Sequence, residues 1–307
     1  MVTALALAAC CVTLFGPAPI LLARARWPRK APRGAVALWQ AMGLAGTLAA
    51  IGAGLAVAVA PLHASLPDGV ERLVSSAIAG HPLAGLGLYE ALGLTMATDV
   101  AVVLGGGLVV TLVRTLRSRA RHRRVLDLVS DTTARLPGAM VLNDRQAVAY
   151  CVPGFRPRIV LSAGALSALA CNELDAVAAH ERGHTHARHD LVMLPFASLM
   201  NLLSWMPYAR LAPRSVSILL EMAADDFACR FQHRRVVAAA LVRLAQAGVG
   251  VVPACTFGAA DSMVTMRVTR LLRQGGNSPI IGLVAIIGAS IVLAAPILVI
   301  FGSSSPR

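Results

Sequence analysis

Four long apolar stretches restrict this chain to folds that cross a membrane. A spanning helix needs roughly 20 mostly apolar residues. Four stretches reach that length: Val2 to Ala23, Val36 to Ala60, Ala91 to Val113 and Pro279 to Phe301. The first has no basic segment before it and a basic run after it, which favours a retained anchor over a cleaved signal peptide. We therefore expect a multi-span α-helical membrane protein in a lipid bilayer.

The distribution of arginine predicts how these spans are oriented. Basic residues cluster after the first and third spans: Arg24, Arg26, Arg29, Lys30, Arg33, Arg114, Arg117, Arg119, Arg121, Arg123 and Arg124. Cytoplasmic loops are enriched in Lys and Arg. The N-terminus is thus expected outside the cell (inner or plasma) membrane, and the polar region from about Arg114 to Asn277 in the cytoplasm. This accounts for most of the net charge of +13 and argues against direct nucleic-acid binding.

The chain divides into three predicted regions: residues 1–113 with three spans, a water-facing domain at 114–277, and residues 278–307 with the last span and a short outer tail. Within the second region, residues 139–162 alternate short β-rich runs with turn signals at Asn143-Asp144 and Pro153-Gly154. This pattern predicts a small antiparallel meander. A helical period follows, with Asn172 as the expected N-cap and Glu173 in the first turn.

That helix carries the sequence HERGH. His180 and His184 are four residues apart and share a face, with Glu181 between them. Two neutral imidazoles so placed can bind Zn²⁺, and the adjacent carboxylate can take a proton from water. Random placement would produce roughly one such match in 300 chains of this composition. His186 and His189 do not share the face of the pair and are expected to be solvated.

A catalytic zinc site usually has three protein ligands. Of the four Glu in the chain besides Glu181, two lie outside the water-facing domain and Glu173 belongs to a helix start. Glu221 remains, within SILLEMAADDFACR. Asp225 follows one turn later, where an Asp can orient a ligating His through its second ring nitrogen. The neighbouring Asp226 is expected to be solvated.

Together these motifs resemble the BlaR/MecR-type membrane zinc metallopeptidases, an antirepressor family among the HExxH and ExxxD (gluzincin) peptidases. The resemblance covers about Val152 to Arg230, in VPGFRPRIVLS, LDAVAAHERGHTHARHDLV, LLSWMPYARLAP and LLEMAADDFACR. It implies a cytoplasmic α+β zincin-like metallopeptidase domain, with Zn²⁺ held by His180, His184 and Glu221 and with Glu181 as general base. It also implies a cytoplasmic BlaI/MecI-type repressor as substrate, the peptidase itself, or both.

One difference from that family concerns sensing. Its best-known members continue past the last span into an extracellular penicillin-binding domain, whereas this sequence ends at Arg307. We therefore expect no β-lactam binding by that route. The outer loop from Pro61 to Glu90 or a separate partner would then sense any signal. The sequence leaves a homo-oligomer open.

Two other functions remain in view. An HtpX-type quality-control protease is also membrane-bound with HExxH and ExxxD, but it typically has two spans after HExxH. A non-catalytic membrane scaffold could keep the fold, although it would have no reason to keep a water-activating Glu181.

The sequence also predicts the environment or role of three further segments and of Asp99. The apolar stretch from Leu191 to Tyr208 is expected to dip into the membrane and return, to lie in the interface, or to pack as core. By family analogy, Arg158 to Ser162 is expected to be an edge strand that binds extended substrate. Asp99, inside the third span, is expected to be paired or partly hydrated. The Arg-rich helix from Ser262 to Gln274 is either an exposed autocleavage region or, with better support, a basic flank of the last span.

Overall fold

The computed structural model describes residues 1–62, 64–81, 86–132, 139–152, 154, 158–247, 257–273 and 278–302. The described chain is mostly helical. Its helices are α1 (Val2–Phe15), α2 (Pro17–Arg24), α3 (Pro32–Ala58), α4 (Leu66–Ile78), α5 (Leu88–Val129), α6 (Ala163–Ala168), α7 (Cys171–His186), α8 (His189–Val192), α9 (Leu194–Leu202), α10 (Pro207–Ala228), α11 (Arg234–Gln246), α12 (Phe257–Leu272) and α13 (Pro279–Gly302). Short 3-10 turns lie at Trp27–Lys30 and Ala60–Leu62.

Four helical segments are long and apolar enough to cross a membrane: Val2–Arg24, Pro32–Ala58, Leu88–Val129 and Pro279–Gly302. They coincide with the four predicted spans. The first breaks at Gly16 because Pro17 has no N–H with which to continue α1. The predicted boundary between residues 113 and 114 falls inside the continuous helix α5, so the division into three regions stays a prediction.

Helix α3 is the centre of the membrane region. It packs against α1, α5 and α13, and small residues allow the close approach. A Cβ on Gly54 would lie 2.6 Å from the carbonyl oxygen of Gly93 on α5, and one on Gly46 would lie 2.8 Å from the Phe15 ring. Small residues let membrane helices pack backbone to backbone. Asp99, by contrast, lies on an exposed face of α5.

The sheet has four strands in the order β1-β2-β4-β3: β1 (Ser130–Thr132), β2 (Ala139–Leu142), β3 (Ala149–Val152) and β4 (Arg158–Ser162). Strand β4 pairs parallel with β2 and antiparallel with β3. The predicted meander is therefore wrong. Ser162, at the end of β4, accepts a hydrogen bond from the Val148 N–H (2.8 Å) and thereby holds β4 beside the β2–β3 connection. Within the predicted Pro153-Gly154 turn, Pro153 lies outside the described residues, as does the outer tail after Gly302.

This order also corrects the predicted edge strand. Arg158 to Ser162 has a partner on both sides, so the edges of the described sheet are β1 and β3. One face of the sheet packs on the end of α5, where Leu126 meets Val152 and Val160. The other face packs on α7 and α11. The sheet is thus a layer between the long membrane-derived helix and the helix that carries HERGH.

Part of the apolar stretch from Leu191 to Tyr208 packs as core, whereas Leu191, Met200 and Trp205 are exposed. Whether the stretch also lies in the membrane interface or dips into the membrane stays a prediction. The stretch forms α8, α9 and the start of α10, with Pro195 and Pro207 in the first turns of the last two. Phe196 and Tyr208 are buried with Phe15 and Trp39 of the membrane helices, and the Tyr208 hydroxyl donates to the Trp39 carbonyl oxygen (2.7 Å). This stretch therefore anchors α10 to the membrane region.

Candidate metal centre

Helix α7 begins at Cys171, and its N-cap lies two residues before the expected Asn172. The N-cap is Ala170, and the Glu173 carboxylate accepts the Ala170 backbone N–H (2.9 Å). This bond satisfies one of the free donors at the helix start. The expected Asn172 cap is wrong, whereas the expected role of Glu173 in the first turn is confirmed.

A glycine in HERGH allows α7 to cross α10 at close range. A Cβ on Gly183 would lie 3.1–3.2 Å from Phe227 and from the Cα of Ala224 on α10. A larger residue would therefore push the two helices apart. The crossing places the two His of α7 opposite Glu221 of α10.

The three predicted ligands converge at the crossing. His180 Nε2 lies 3.1 Å from His184 Nε2. The Glu221 carboxylate faces both rings: Oε2 lies 3.4 Å from His180 Nε2, and Oε1 lies 3.4 Å from His184 Nε2. Four ligands bonded at about 2.0–2.1 Å in a tetrahedron are about 3.3–3.4 Å apart. The spacing therefore fits Zn²⁺. The side chains stay 12% (His180), 24% (His184) and 28% (Glu221) exposed, so one side of the site is open to water, as a catalytic zinc requires.

Asp225 lies behind His180, as the spacing predicts. Its Oδ1 is 3.0 Å from His180 Nδ1, and the side chain is 1% exposed. The carboxylate is therefore placed to hold the ring with Nε2 toward the ligand cluster.

Arg267 is a site residue that sequence reasoning missed. Its guanidinium donates twice to Asp225 (2.8 and 2.6 Å) and lies 2.9 Å from Glu221. It is 7% exposed. Arg267 is distant in sequence and resembles any basic residue flanking a span, so no local pattern distinguishes it.

The same helix supplies a second arginine one turn later. Arg270 pairs bidentately with Asp226 (2.8 and 2.7 Å) and donates to the Arg29 carbonyl oxygen (2.7 Å). The expectation that Asp226 is solvated is wrong. The expectation that the basic residues of the segment from Ser262 to Gln274 are exposed is wrong for Arg267 and Arg270, which both face α10, and is confirmed for Arg273; Gln274 lies outside the described residues. The proposed autocleavage region loses its main support.

His189 is also not solvated. It is 6% exposed, and its Nδ1 lies 3.0 Å from His184 Nδ1. The prediction considered only the face of α7, whereas His189 follows a turn that reverses the chain. His186 is exposed and packs on the Phe227 ring, so the expectation for His186 is confirmed.

Burial and neighbouring charges give the four central groups different affinities for protons. Burial lowers the pKa of His184 to about 4, which leaves the ring neutral at pH 7. Burial also disfavours charge on His180, but the Asp225 and Glu221 carboxylates outweigh it and raise the pKa to about 10. Partial burial raises the pKa of Glu221, yet Arg267 and His180 outweigh this effect and hold the pKa well below its usual range. Without metal, a proton on His180 thus occupies the space between the ligands.

Glu181 differs from the other carboxylates. Burial raises its pKa to about 7, against the lowering effect of His180 and of a hydrogen bond from the Cys151 backbone N–H. A general base works best with a pKa near the working pH. Glu181 meets that condition at neutral pH.

The hydrogen bond from Cys151 identifies the free side of β3. The Ser162 N–H donates to the Val148 carbonyl oxygen (2.8 Å). Because hydrogen-bonded positions alternate in antiparallel pairs, Tyr150 bonds to β4, while the backbone groups of Ala149 and Cys151 point outward. Among the described strands none pairs with this side, and it borders Glu181.

Comparison with known proteins agrees with this geometry. Residues 115–250 match the model of Peptidase family M48. The matched segment covers less than half of the chain, and the matched family is one of zinc-dependent metalloproteases. This match does not confirm the BlaR/MecR assignment. No curated protein and no solved structure matches the chain.

Proposed function

We propose that this chain is an integral membrane zinc metalloendopeptidase whose site faces the cytoplasm. The observation that carries the proposal is the triangle of the His180, His184 and Glu221 side chains. The two Nε2 atoms lie 3.1 Å apart, and each lies 3.4 Å from a different oxygen of the Glu221 carboxylate. These spacings fit one tetrahedral ion beside a carboxylate of pKa about 7. The arginine clusters that flank the spans support the cytoplasmic orientation.

The residues divide the work of peptide hydrolysis. Bound at the triangle, zinc would polarise the scissile carbonyl and increase the acidity of water at the site. Glu181 takes the proton from the attacking water and delivers it to the leaving amine. Asp225 and Arg267 hold His180 and Glu221 in place. The open side of the triangle admits the substrate.

Strand β3 is the proposed docking edge for the substrate. An extended peptide can pair by strand addition with the outward N–H and carbonyl of Ala149 and with the outward carbonyl of Cys151, whose N–H already donates to Glu181. This binding brings a peptide bond alongside Glu181, because Cys151 already touches that carboxylate. Strand β3 has an open side in the described sheet, whereas Arg158 to Ser162 is paired on both sides.

The substrate that we propose is a cytoplasmic BlaI/MecI-type repressor, with cleavage as the signalling step. The resemblance over Val152 to Arg230 supports this, as does the arrangement of three candidate spans before HERGH and one after it. A second candidate, HtpX-type quality control, is favoured by the docking edge, since recognition through backbone groups tolerates many sequences. The family match does not distinguish them.

The first test uses the detergent-purified full chain, with zinc content and peptide cleavage as readouts. Wild type, Glu181→Gln and His184→Ala are compared, with His186→Ala as a matched control. We expect stoichiometric zinc in all but His184→Ala, and cleavage only by wild type and His186→Ala. Loss of zinc from every protein would overturn the proposal in favour of a scaffold.

The choice of substrate separates the two candidate roles. A BlaI-type repressor and an unfolded membrane protein are offered to the same preparations. One cut in the repressor with the second substrate intact supports signalling. Many cuts in the unfolded protein with the repressor intact support quality control.

The docking edge has its own test in Ala149→Pro. Proline removes an N–H that points away from β4, so the β3–β4 ladder should persist. We expect normal zinc content with kcat/KM reduced at least tenfold. Unchanged kcat/KM would exclude β3 as the substrate edge.

A further inference from the structure

His189 occupies a turn whose backbone is strained. Arg188, just before it, has φ 50° and ψ 42°, the left-handed region, and it is the one non-glycine residue with positive φ in the described parts of the chain. This conformation is unfavourable for a residue that carries a side chain, because Cβ comes too close to the following carbonyl oxygen. The turn changes the direction of the chain after α7 and brings the His189 ring into contact with the His184 ring.

The two rings meet in a defined geometry. Their centroids are 4.8 Å apart, their planes stand at 89°, and the two Nδ1 atoms are 3.0 Å apart. One nitrogen must donate and the other accept. Because His184 directs Nε2 to the ligand triangle, a neutral His184 carries its proton on Nδ1. His189 Nδ1 is then the acceptor, and the proton of His189 lies on Nε2.

We propose that His189 is a positioning residue for His184: it fixes the tautomer and ring orientation that present His184 Nε2 to the metal. This inference rests on the proposed function, since it concerns the same zinc site. Metal-ligating His almost always donates its other ring N–H to a partner. With His189 in this role, each of the three ligands has its own partner: Asp225 for His180, His189 for His184 and Arg267 for Glu221.

The turn that presents His189 is tied to the long helix α5. Asp190, the next residue, forms an ion pair with Arg119 (2.6 Å), and both side chains are at most 20% exposed. This pair connects the turn to α5. His189 is therefore held by backbone strain at Arg188 and by an ion pair at Asp190.

A neutral partner suits the charge of this site. Glu221, Asp225 and Glu181 are three carboxyl groups close to one buried arginine, Arg267. A fourth carboxylate behind His184 would add repulsion among them. An imidazole accepts the same hydrogen bond without adding charge.

The test measures zinc affinity by competition with a chromogenic chelator, together with the visible absorption of the cobalt(II)-substituted protein, on the full chain in detergent. The variants are His189→Ala, which removes the acceptor, and His189→Asn, whose side-chain oxygen can take the place of Nδ1. His186→Ala is the matched control. Circular dichroism and thermal unfolding establish that each variant is folded.

We expect His189→Ala to bind zinc 10- to 100-fold more weakly with an altered cobalt spectrum, while His189→Asn and His186→Ala stay near wild type. Wild-type affinity and spectrum in folded His189→Ala would overturn the inference and leave the zinc site intact. Equal losses in His189→Ala and His189→Asn would also overturn it, because the acceptor would then not matter. Absence of zinc from wild type itself would instead overturn the proposed function.

Discussion

The two halves of α10 are stabilised by opposite kinds of interaction. The first half, from Pro207 to Leu220, buries apolar side chains against Phe15 and Trp39 of the membrane helices. The second half, from Glu221 to Ala228, presents three carboxylates to two arginines of α12. One continuous helix thus joins an apolar core to a buried ionic cluster.

These two kinds of interaction predict different responses to substitution. Apolar packing is lost in proportion to the atoms removed. A buried ion pair behaves otherwise, because removing one partner leaves the other charge without compensation. The first half should therefore give graded losses, and the second half abrupt ones.

The largest expected effect is that of Arg267→Met. Loss of this guanidinium leaves the buried Asp225 and the partly buried Glu221 with only the protonated His180 as a neighbouring cation, which should lower the free energy of unfolding of the metal-free protein by about 3–5 kcal/mol. Chemical denaturation in detergent measures it. Arg158→Met is the control, because Arg158 (34% exposed) forms its ion pair with Asp127 (51% exposed) near the surface. Its loss should lower the free energy of unfolding by less than about 1 kcal/mol. Equal losses would remove the distinction between buried and exposed pairs.

Leu219→Ala tests the apolar half. Leu219 is 4% exposed in the cluster around Trp39, so its truncation should cost about 2–4 kcal/mol, and Leu219→Met less than about 1.5 kcal/mol. Zinc affinity should not change in either variant. A tenfold loss of zinc affinity would show that the two halves are not independent.

The ionic half should also respond to pH. Below its pKa of about 10, His180 carries a proton in the metal-free site, and a metal ion must displace it. The apparent zinc affinity should therefore rise about tenfold per pH unit between pH 6.5 and 8, equivalent to about 1.4 kcal/mol. Competition titrations across this range measure the slope. A flat profile would mean that His180 is already neutral there.

The smallest expected effect is that of Tyr208→Phe in the apolar half. It removes the buried hydrogen bond to the Trp39 carbonyl oxygen and should cost about 1 kcal/mol. Gly43→Ala offers a matched second site, because a Cβ there would overlap the Tyr208 hydroxyl. In a double-mutant cycle the alanine should cost less when residue 208 is Phe. Additive losses would show that the hydroxyl does not limit the packing at Gly43.

The sequence predicts what depends on local spacing and misses what depends on distant contacts. The four apolar helices, the shared face of His180 and His184, and Asp225 one turn after Glu221 all follow from helical periodicity. Whether these residues bind zinc stays a prediction. The sheet order was out of reach because β4 inserts between β2 and β3 only once the strands pair. Arg267 and His189 were missed because one comes from a distant helix and the other from a turn set by the unusual backbone of Arg188.

The length of α5 has a mechanical consequence. Its 42 residues span about 63 Å at 1.5 Å per residue. The helix runs without a proline or a break from Leu88 to Val129 and meets the sheet at Leu126. If a helix of that length tilts by 10° about its N-terminal end, its C-terminal end, the far end, moves by about 11 Å. That far end also contacts Asp190 through Arg119 and the Val152 carbonyl oxygen through Arg123. A tilt of α5 would therefore displace the turn after α7 and strand β3 together, and with them the two sides of the ligand cluster.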